Sequence, residues 1–182
     1  RSILGDPRSD TMQKTLNIKV KYRESFRPFA PSVLQEHAAE WFDLKGDSPY
    51  MLVVSDVIDS KRIKVPEEES ELFGIDKLNV PRSEIPAVTH VDYSARIQTV
   101  HKETNARYHA LISTFYDLTG CPVVINTSFN VRGEPIVCIP ENAFHCFMGT
   151  GIESLAIGNC YMRKELQNPD LKLNYETAFE LD

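Results

Sequence analysis

The sequence lacks several features that mark particular classes of protein. No apolar run approaches the roughly 20 residues needed to cross a bilayer, and residues 1–7 lack the apolar core of a secretion signal. Positive charge is not in excess either, since 20 Lys and Arg face 26 Asp and Glu, for a formal net charge of −6. General nucleic-acid binders need a basic face. We therefore expect a cytoplasmic protein that binds neither membranes nor nucleic acids.

Cysteine patterns that indicate metal or disulfide chemistry are also missing. The four cysteines are Cys121, Cys138, Cys146 and Cys160, and no two of them form a C-x-x-C pair. Each lies in an apolar stretch, which predicts small buried thiols rather than a zinc site or a disulfide framework. His90 and Asp92 form an H-x-D pair, but spacing indicates no third ligand. We therefore predict no metal site in this chain.

What the sequence does contain is an alternation of helix and strand patterns without internal repeats. A length of 182 residues fits one domain. The pattern predicts the α/β (α+β) class, with a twisted mixed sheet flanked by helices. Strands are expected at 32–34, 50–54, 87–91, 95–100 and 122–126, followed by a hairpin at 155–162. Helices are expected after a cap at Asp6-Pro7 or Ser9-Asp10, at 36–42, at 105–118 and from Pro140.

Some of these segments carry sharper expectations. The apolar run 50–54 is typical of a strand buried on both faces. Asn105 should cap the longest helix and Gly120 should end it, with Tyr108, Leu111, Ile112, Phe115 and Leu118 on its buried side. Residues 59–85, which include Glu67-Glu68-Glu69, show no periodicity and are interpreted as a surface insertion; an acidic ligand site is the less favoured alternative.

The first candidate site is a cluster of cations. Lys21, Arg23 and Arg27 lie within seven residues, and in an extended chain Lys21 and Arg23 would point to the same face. A solvated surface cluster is the ordinary alternative. Neighbouring Phe and Pro residues would hold the backbone rigidly, which favours binding of a phosphate group. Cations of this kind usually lack internal partners, so replacing Lys21 or Arg27 by Ala should barely change the thermal midpoint.

The second candidate site is the polar segment 126–135, which follows a predicted buried strand. Loops at the carboxyl ends of strands bind ligands in α/β folds. Asn126, Ser128 and Asn130 offer compact donors and acceptors, and Gly133 permits a close approach of the backbone. The alternative is a loop whose polar side chains merely hold its own turn. Spacing alone leaves both interpretations open.

Four ordered runs resemble the C-terminal domain of the NodU/CmcH-type O-carbamoyltransferases. They are R-S-I-L-G-D-P-R at 1–8, V-K-Y-R-E-S-F-R-P-F-A-P-S-V at 20–33, V-T-H-V-D-Y-S-A-R-I-Q-T-V at 88–100 and G-C-P-V-V-I-N-T-S-F-N-V-R-G-E-P-I-V at 120–137. That domain is similar to the YrdC-like synthases, which use a K-x-R and an S-x-N motif. Lys21-Tyr22-Arg23 and Ser128-Phe129-Asn130 match these motifs here.

The resemblance implies a carbamoyl-activating domain that converts carbamoyl phosphate and ATP, with magnesium bound to the nucleotide, to a carbamoyl-adenylate. It implies that Lys21 and Arg27 hold the carbamoyl phosphate. Three residues would contact the nucleotide or the carbamoyl group, namely Arg96, Asn126 and Ser128, with Asn130 and Arg23 supporting them.

The resemblance also implies a division of labour between domains. A preceding domain, which carries a metal, would pass the carbamoyl group to a hydroxyl of a sugar or antibiotic. The family pattern continues upstream of residue 1, so we expect that acceptor domain to be absent from this chain. Two alternatives remain, a non-catalytic nucleotide-binding or regulatory module and a Cys-dependent hydrolase.

Overall fold

The computed structural model describes residues 1–66, 72–78, 80–172, 174–175 and 178–179. The chain divides into two compact units. The larger unit comprises Leu4–Gln13 and Pro28–Thr127. The smaller unit comprises Arg1–Ile3, Lys14–Arg27 and Ser128–Asp182. No helix among the described residues is both long enough and apolar enough to span a bilayer.

Five strands form a mixed sheet. They are β1 (Ser2–Gly5), β2 (Ala30–Leu34), β3 (Val53–Asp56), β4 (Ser94–Val100) and β5 (Val123–Ser128), in the order β1-β5-β2-β4-β3. Strand β2 runs parallel to β4 and antiparallel to β5, while β3 is antiparallel to β4. Ser32 on β2 therefore faces Gln98 on one side and Val124 on the other. This arrangement confirms the predicted α/β class with a mixed sheet.

Capping residues mark the ends of two of the helices. They are α1 (Met12–Lys19), α2 (Ile75–Leu78), α3 (Ala106–Thr119) and α4 (Pro140–Gly149). The Asn105 side chain accepts a hydrogen bond from the Tyr108 backbone N–H, and Gly120 ends α3 in the left-handed conformation at φ 71°. Both capping predictions are confirmed. Pro140 occupies the first turn of α4, as expected.

Helix α3 covers the sheet through a narrower stripe than the sequence predicts. Ile112 packs with Leu34, Val100 and Val124, and Tyr108, Phe115 and Tyr116 lie against this cluster. The three aromatic residues lie three or four positions from Ile112, so all four residues define one face of the helix. Leu111 and Leu118 fall to the side of that face, and Leu118 is 80% exposed. Their predicted burial is therefore wrong.

The apolar run 50–54 is not a buried strand. Strand β3 starts only at Val53 and lies at the edge of the sheet, where Val54 is 60% exposed. An edge strand has a single neighbour, so a run of apolar residues does not guarantee that both faces are covered. The expected strand at 87–91 is also wrong, because Pro86–Val88 forms a single 3₁₀ turn that buries Ala87 and Val88.

Two further segments differ in detail from expectation. The expected helix at 36–42 is a 3₁₀ helix, Gln35–Glu40, and Ala38 is its buried residue. In the segment 59–85, the two ends are joined by a bridge between Arg62 and Ser83 and by backbone hydrogen bonds, such as Ile63 N–H to Arg82 O at 2.8 Å. The acidic run Glu67-Glu68-Glu69 lies outside the described residues.

The smaller unit contains α4 and a two-stranded hairpin. The buried face of α4 includes Ala143, Cys146, Phe147 and Met148. Strands β6 (Ser154–Ile157) and β7 (Cys160–Arg163) pair antiparallel, as predicted. Gly158 occupies the turn with φ 56°, a conformation that suits glycine.

The cysteines separate into two kinds. Cys121 and Cys146 are buried, as predicted, but Cys138 and Cys160 are exposed. Cys138 precedes α4 and Cys160 begins β7 on the hairpin, so their apolar sequence neighbours do not enclose them. Burial raises the pKa of the Cys121 thiol to about 11 and that of the Cys146 thiol to about 12. Such thiols are poor nucleophiles, so neither Cys121 nor Cys146 suits the Cys-dependent hydrolase alternative.

Candidate functional site

The segment that carries Lys21, Arg23 and Arg27 is a turn rather than a strand. The Lys21 backbone N–H donates to Leu16 O at 2.8 Å, and the Arg23 N–H donates to Asn17 O at 3.0 Å. Tyr22 lies between them at a positive φ of 47°. These bonds satisfy carbonyl groups at the end of α1, which an extended chain could not do. The extended chain in which Lys21 and Arg23 would point to the same face is therefore not formed.

Asn17 holds this turn in place, and the sequence analysis missed it. Its side chain is buried, and its amide Nδ2 donates to Ser25 O at 3.1 Å and to Arg27 O at 2.7 Å. Its Oδ1 accepts a hydrogen bond from Arg23 Nε at 2.7 Å. The only signal was an asparagine within a helix, where this residue is disfavoured. One amide thus fixes both Arg23 and the backbone of Arg27.

Lys21 is almost completely buried, with 5% of its surface exposed. Its Nζ lies 2.5 Å from Ser128 O, 3.2 Å from Ser128 Oγ, 2.8 Å from Asn130 O and 2.9 Å from Asn130 Oδ1. The structure thus brings Lys21 together with Ser128 and Asn130. The expectation that this cation lacks internal partners is wrong, because its ammonium group donates to Ser128 at the end of β5 and to Asn130 beyond it.

The charge state of Lys21 reflects two opposing effects. Burial, reinforced by the nearby positive charge of Arg23, lowers the pKa of Lys21 to about 8. The Cys146 and Glu134 side chains act in the opposite direction and limit that decrease. Lys21 therefore carries a proton at neutral pH and can lose it in mildly alkaline solution.

The loop 128–135 is held by its own polar groups. Ser128 Oγ donates to Asn130 Oδ1 at 2.6 Å, and Asn130 Nδ2 donates to Glu134 O at 2.6 Å. The Val131 N–H donates to Glu134 Oε2 at 2.8 Å, and Gly133 adopts φ 74°. Several polar side chains therefore do maintain the turn, as one of the two interpretations predicted. The same conformation shapes a cavity beside the loop.

This cavity, which we call the cationic cavity, has a volume of about 440 Å³. Its lining residues are Lys21, Arg23, Arg27, Asn130, Val131, Arg132, Gly133, Glu134 and Pro135. Burial, and then the charge of Arg27, lowers the pKa of Arg23. The Arg27 side chain is 53% exposed, and its ion pair with Glu24 is long at 3.7 Å. Four cations around one opening create a positive potential that attracts anions.

Glu134 and Tyr175 are parts of this site that sequence reasoning missed. The Glu134 carboxylate is buried, and its Oε1 accepts a hydrogen bond from the Tyr175 hydroxyl at 2.6 Å. Tyr175 follows a polar stretch of sequence, Lys164 to Asn174, which carries no motif. No local pattern indicates that a tyrosine 41 positions later binds Glu134.

Arg96 and Asn126 belong to the larger unit, where they lie on one face of the sheet. Arg96 and Gln98 alternate along β4, and Gln98 faces Ser32. Gln98 Oε1 accepts hydrogen bonds from Ser32 Oγ at 2.6 Å and from Asn126 Nδ2 at 2.8 Å. We call Arg96, Gln98, Ser32 and Asn126 the polar row. Gln98 and Ser32 were missed; a glutamine at the centre of a strand was the available signal.

A second cavity of about 530 Å³ adjoins Gln98 within the larger unit. Its lining includes the aromatic side chains of Tyr50, His101 and Tyr108. Burial raises the pKa of Tyr108 to about 12, and its hydroxyl lies near Ser32. The cavity therefore combines aromatic surfaces with the amide of Gln98, a lining that suits a planar polar group.

The His, Cys, Asp and Glu side chains of the described residues do not cluster in the way that a metal site requires. No group of three or more His, Cys, Asp and Glu side chains there is arranged to hold a metal ion. Asp92 Oδ1, from the H-x-D pair, instead accepts hydrogen bonds from Ser94 N–H at 3.0 Å and from Ser94 Oγ at 2.7 Å.

Comparison with known proteins identifies relatives of this chain. The family model described as carbamoyltransferase C-terminus matches residues 1–164, so Tyr175 lies beyond the matched residues. An uncharacterized protein of Synechocystis is 56% identical over 183 residues, which cover 100% of this chain and 30% of that protein.

Two relatives have names that describe a role. Nodulation protein NolNO of Sinorhizobium fredii is 40% identical, over 93% of this chain and 22% of that protein. A 3'-hydroxymethylcephem-O-carbamoyltransferase of Amycolatopsis lactamdurans is 30% identical, over 90% of this chain and 27% of that protein. The chain thus spans less than a third of the length of these relatives.

Proposed function

The chain belongs to the family of carbamoyltransferase C-terminal domains, and on that premise we propose that it activates a carbamoyl group for transfer. The substrates are carbamoyl phosphate and ATP, with Mg²⁺ accompanying the nucleotide. Water releases phosphate from carbamoyl phosphate. The carbamate oxygen then attacks the α-phosphorus of ATP, displacing pyrophosphate and forming a carbamoyl-adenylate. The acceptor is a hydroxyl group of a sugar or antibiotic, bound by a preceding domain with its own metal.

The cationic cavity is the observation that carries this proposal. It gathers Lys21, Arg23, Arg27 and Arg132 in a chain whose formal net charge is −6. Such a concentration of like charge is unfavourable in the empty protein and becomes favourable when an anion binds. Planar guanidinium groups match the oxygens of a phosphate, and each charge-assisted hydrogen bond contributes roughly 1.5–3 kcal/mol. In this proposal Lys21 and Arg27 hold carbamoyl phosphate, and Arg23 and Asn130 support them.

The nucleotide is assigned to the polar row and the cavity next to it. Arg96 offers a cation for a phosphate, and Asn126 and Gln98 offer amides for a base or a carbamoyl group. Tyr50 and Tyr108 provide ring surfaces for stacking. Ser128 contributes a hydroxyl to the carbamoyl group. Adenylyl transfer depends chiefly on positioning and on cations that match the developing charge, and these residue types supply both.

Calorimetric titration with carbamoyl phosphate and with ATP plus Mg²⁺, at low and high salt, tests the binding step. We expect carbamoyl phosphate affinity to fall as salt rises, because ions screen the cationic cavity. Arg27→Ala should weaken it by about tenfold or more, since one charge-assisted contact is lost. Arg163→Ala is the matched control, because Arg163 is exposed on β7 and pairs with Glu165. Absence of binding by the folded wild type at low salt would refute the proposal.

Exchange of labelled pyrophosphate into ATP tests the chemical step. The assay uses an enzyme that contains this chain and is as long as its relatives. Pyrophosphate exchange should then require carbamoyl phosphate, and it should fall sharply in Ser128→Ala. Binding of ATP without any exchange would instead support the non-catalytic nucleotide-binding module.

A further inference from the structure

Tyr175 is buried although it lies in the tail of the chain. Its ring packs against Gly149 so closely that a Cβ on that glycine would come within 2.6 Å of it. Phe179 contacts the same ring edge-on, with 5.4 Å between the ring centroids. Its hydroxyl donates to Glu134 Oε1 at 2.6 Å. This part of the tail is therefore docked in the smaller unit through both apolar and polar contacts.

Glu134 connects the docked tyrosine to the loop 128–135. The carboxylate is only 8% exposed, and its other oxygen, Oε2, accepts the Val131 N–H at 2.8 Å. The backbone carbonyl of Glu134 accepts a hydrogen bond from Asn130 Nδ2 at 2.6 Å. A buried carboxylate needs its hydrogen-bond donors to remain in place. The position of Glu134, and with it that of Val131 and Asn130, therefore depends on the hydrogen bond that Tyr175 donates.

Asn130 connects the loop to the buried cation Lys21. Its Oδ1 accepts hydrogen bonds from Lys21 Nζ at 2.9 Å and from Ser128 Oγ at 2.6 Å. A continuous series of contacts thus leads from Tyr175 through Glu134 and Asn130 to Lys21. Asn130, Glu134 and Lys21 line the cationic cavity, whereas Tyr175 does not.

We propose that Tyr175 is a positioning residue for anion binding, which holds the Glu134 carboxylate and thereby the shape of the loop 128–135. This inference rests on the proposed function for the identity of the anion, carbamoyl phosphate. It adds that Tyr175, which lies outside the family match, keeps the binding loop in shape without lining the cavity.

The hydroxyl of Tyr175 acts as a permanent donor. Burial raises its pKa, and the neighbouring carboxylate of Glu134 raises it further. The hydroxyl therefore keeps its proton across the physiological pH range. The effect of losing the hydroxyl should then be the same at pH 6 and at pH 8.

The test uses Tyr175→Phe, which removes the hydroxyl and keeps the ring. Tyr161→Phe is the matched control, because Tyr161 makes one surface hydrogen bond to Ser154 Oγ on the hairpin. Two quantities are measured, the Kd for carbamoyl phosphate by calorimetry and the amide exchange rate of Val131 without ligand. We expect Tyr175→Phe to weaken binding about 5- to 20-fold and to speed exchange of the Val131 amide about tenfold. The control should change neither.

A double variant shows whether the effect passes through Glu134. In a Glu134→Gln background, the additional loss of affinity from Tyr175→Phe should fall below about twofold, because residues that act through one contact are not additive. Equal losses in both backgrounds would overturn the proposed route.

The outcomes separate this inference from the proposed function. If the wild type binds carbamoyl phosphate and Tyr175→Phe changes neither Kd nor Val131 exchange, the inference is wrong and the proposed function stands. If Tyr175→Phe lowers only the thermal midpoint, Tyr175 is merely structural and the inference is again wrong. If the wild type binds no carbamoyl phosphate, the proposed function fails, and the assignment of Tyr175 to anion binding fails with it.

Discussion

Replacing Lys21 by Met would remove a buried ammonium group and keep an unbranched side chain of similar length. In the folded protein that ammonium contacts four oxygen atoms of Ser128 and Asn130, two of them backbone carbonyls. The substitution leaves those carbonyls without their charged donor. It also removes the cost of burying a charge, so the two effects oppose each other.

The magnitude follows from the number of acceptors that lose a partner. Each buried acceptor left unsatisfied costs about 1–3 kcal/mol, which gives about 2–6 kcal/mol for two carbonyls. Ser128 and Asn130 are only half-buried, so water can replace part of the lost bonding. With relief of the buried charge, we expect a net loss of roughly 2–3 kcal/mol. For a chain of this size, that corresponds to a decrease in Tm of roughly 4–12 °C.

Thermal unfolding of wild type and Lys21→Met, followed by circular dichroism at pH 7, measures this loss. Lys14→Met is the control, since Lys14 is exposed on α1 and the same chemical change there should shift Tm by less than about 1–2 °C. A Lys21→Met variant with the control's Tm would refute the reasoning. It would mean that the hydrogen bonds from Lys21 to Ser128 and Asn130 contribute no net stability. The protein would then behave as expected for a cation without internal partners.

Two predictions concern titration and thiol chemistry. The pKa of Lys21 is about 8 in the folded protein against 10.5 in an unperturbed side chain, so between these pH values the unfolded chain binds the extra proton. The unfolding free energy of wild type, relative to that of Lys21→Met, should therefore rise between pH 8 and pH 10.5. The affinity for carbamoyl phosphate should fall above pH 8. If the unfolding free energies of the two proteins changed with pH in parallel, the stability prediction would be contradicted. Alkylation with iodoacetamide at pH 8, followed by mass spectrometry, should modify exposed Cys138 and Cys160 and spare Cys121 and Cys146; early labelling of Cys146 would contradict its burial.

Local features of the fold were predictable because they depend on neighbours in the chain. Asn105 and Gly120 mark the ends of α3 through backbone hydrogen bonding and a left-handed conformation, both of which depend on residue type. Strand β5 begins with a run of three β-branched residues, and the second half of β4 is rich in them, which favours strands at both places. The residues of the K-x-R and S-x-N motifs could also be named from the sequence, because spacing and resemblance require no structure. Their assigned roles in binding stay predictions.

Burial was less predictable, because it depends on which element covers a residue. The run 50–54 looks like a central strand, but β3 is an edge strand with β4 as its neighbour in the sheet order. Leu118 has the apolar character of a core residue, but it falls beside the stripe of α3 that meets the sheet. Cys138 and Cys160 similarly have apolar neighbours in sequence and remain exposed.

The chemical character of the candidate site was visible in the residues themselves, since three cations and a polar loop require no structure to recognise. The tertiary structure decided what each of them does. Lys21 meets Ser128 across 107 positions, and Tyr175 meets Glu134 across 41, so neither contact leaves a local pattern. Long-range pairs form only when the chain is folded, because the free energy that stabilises them comes from burial and shared hydrogen bonds. For that reason Lys21 is a buried donor to a loop, whereas Arg27, six residues away, remains half-exposed at the mouth of the cationic cavity.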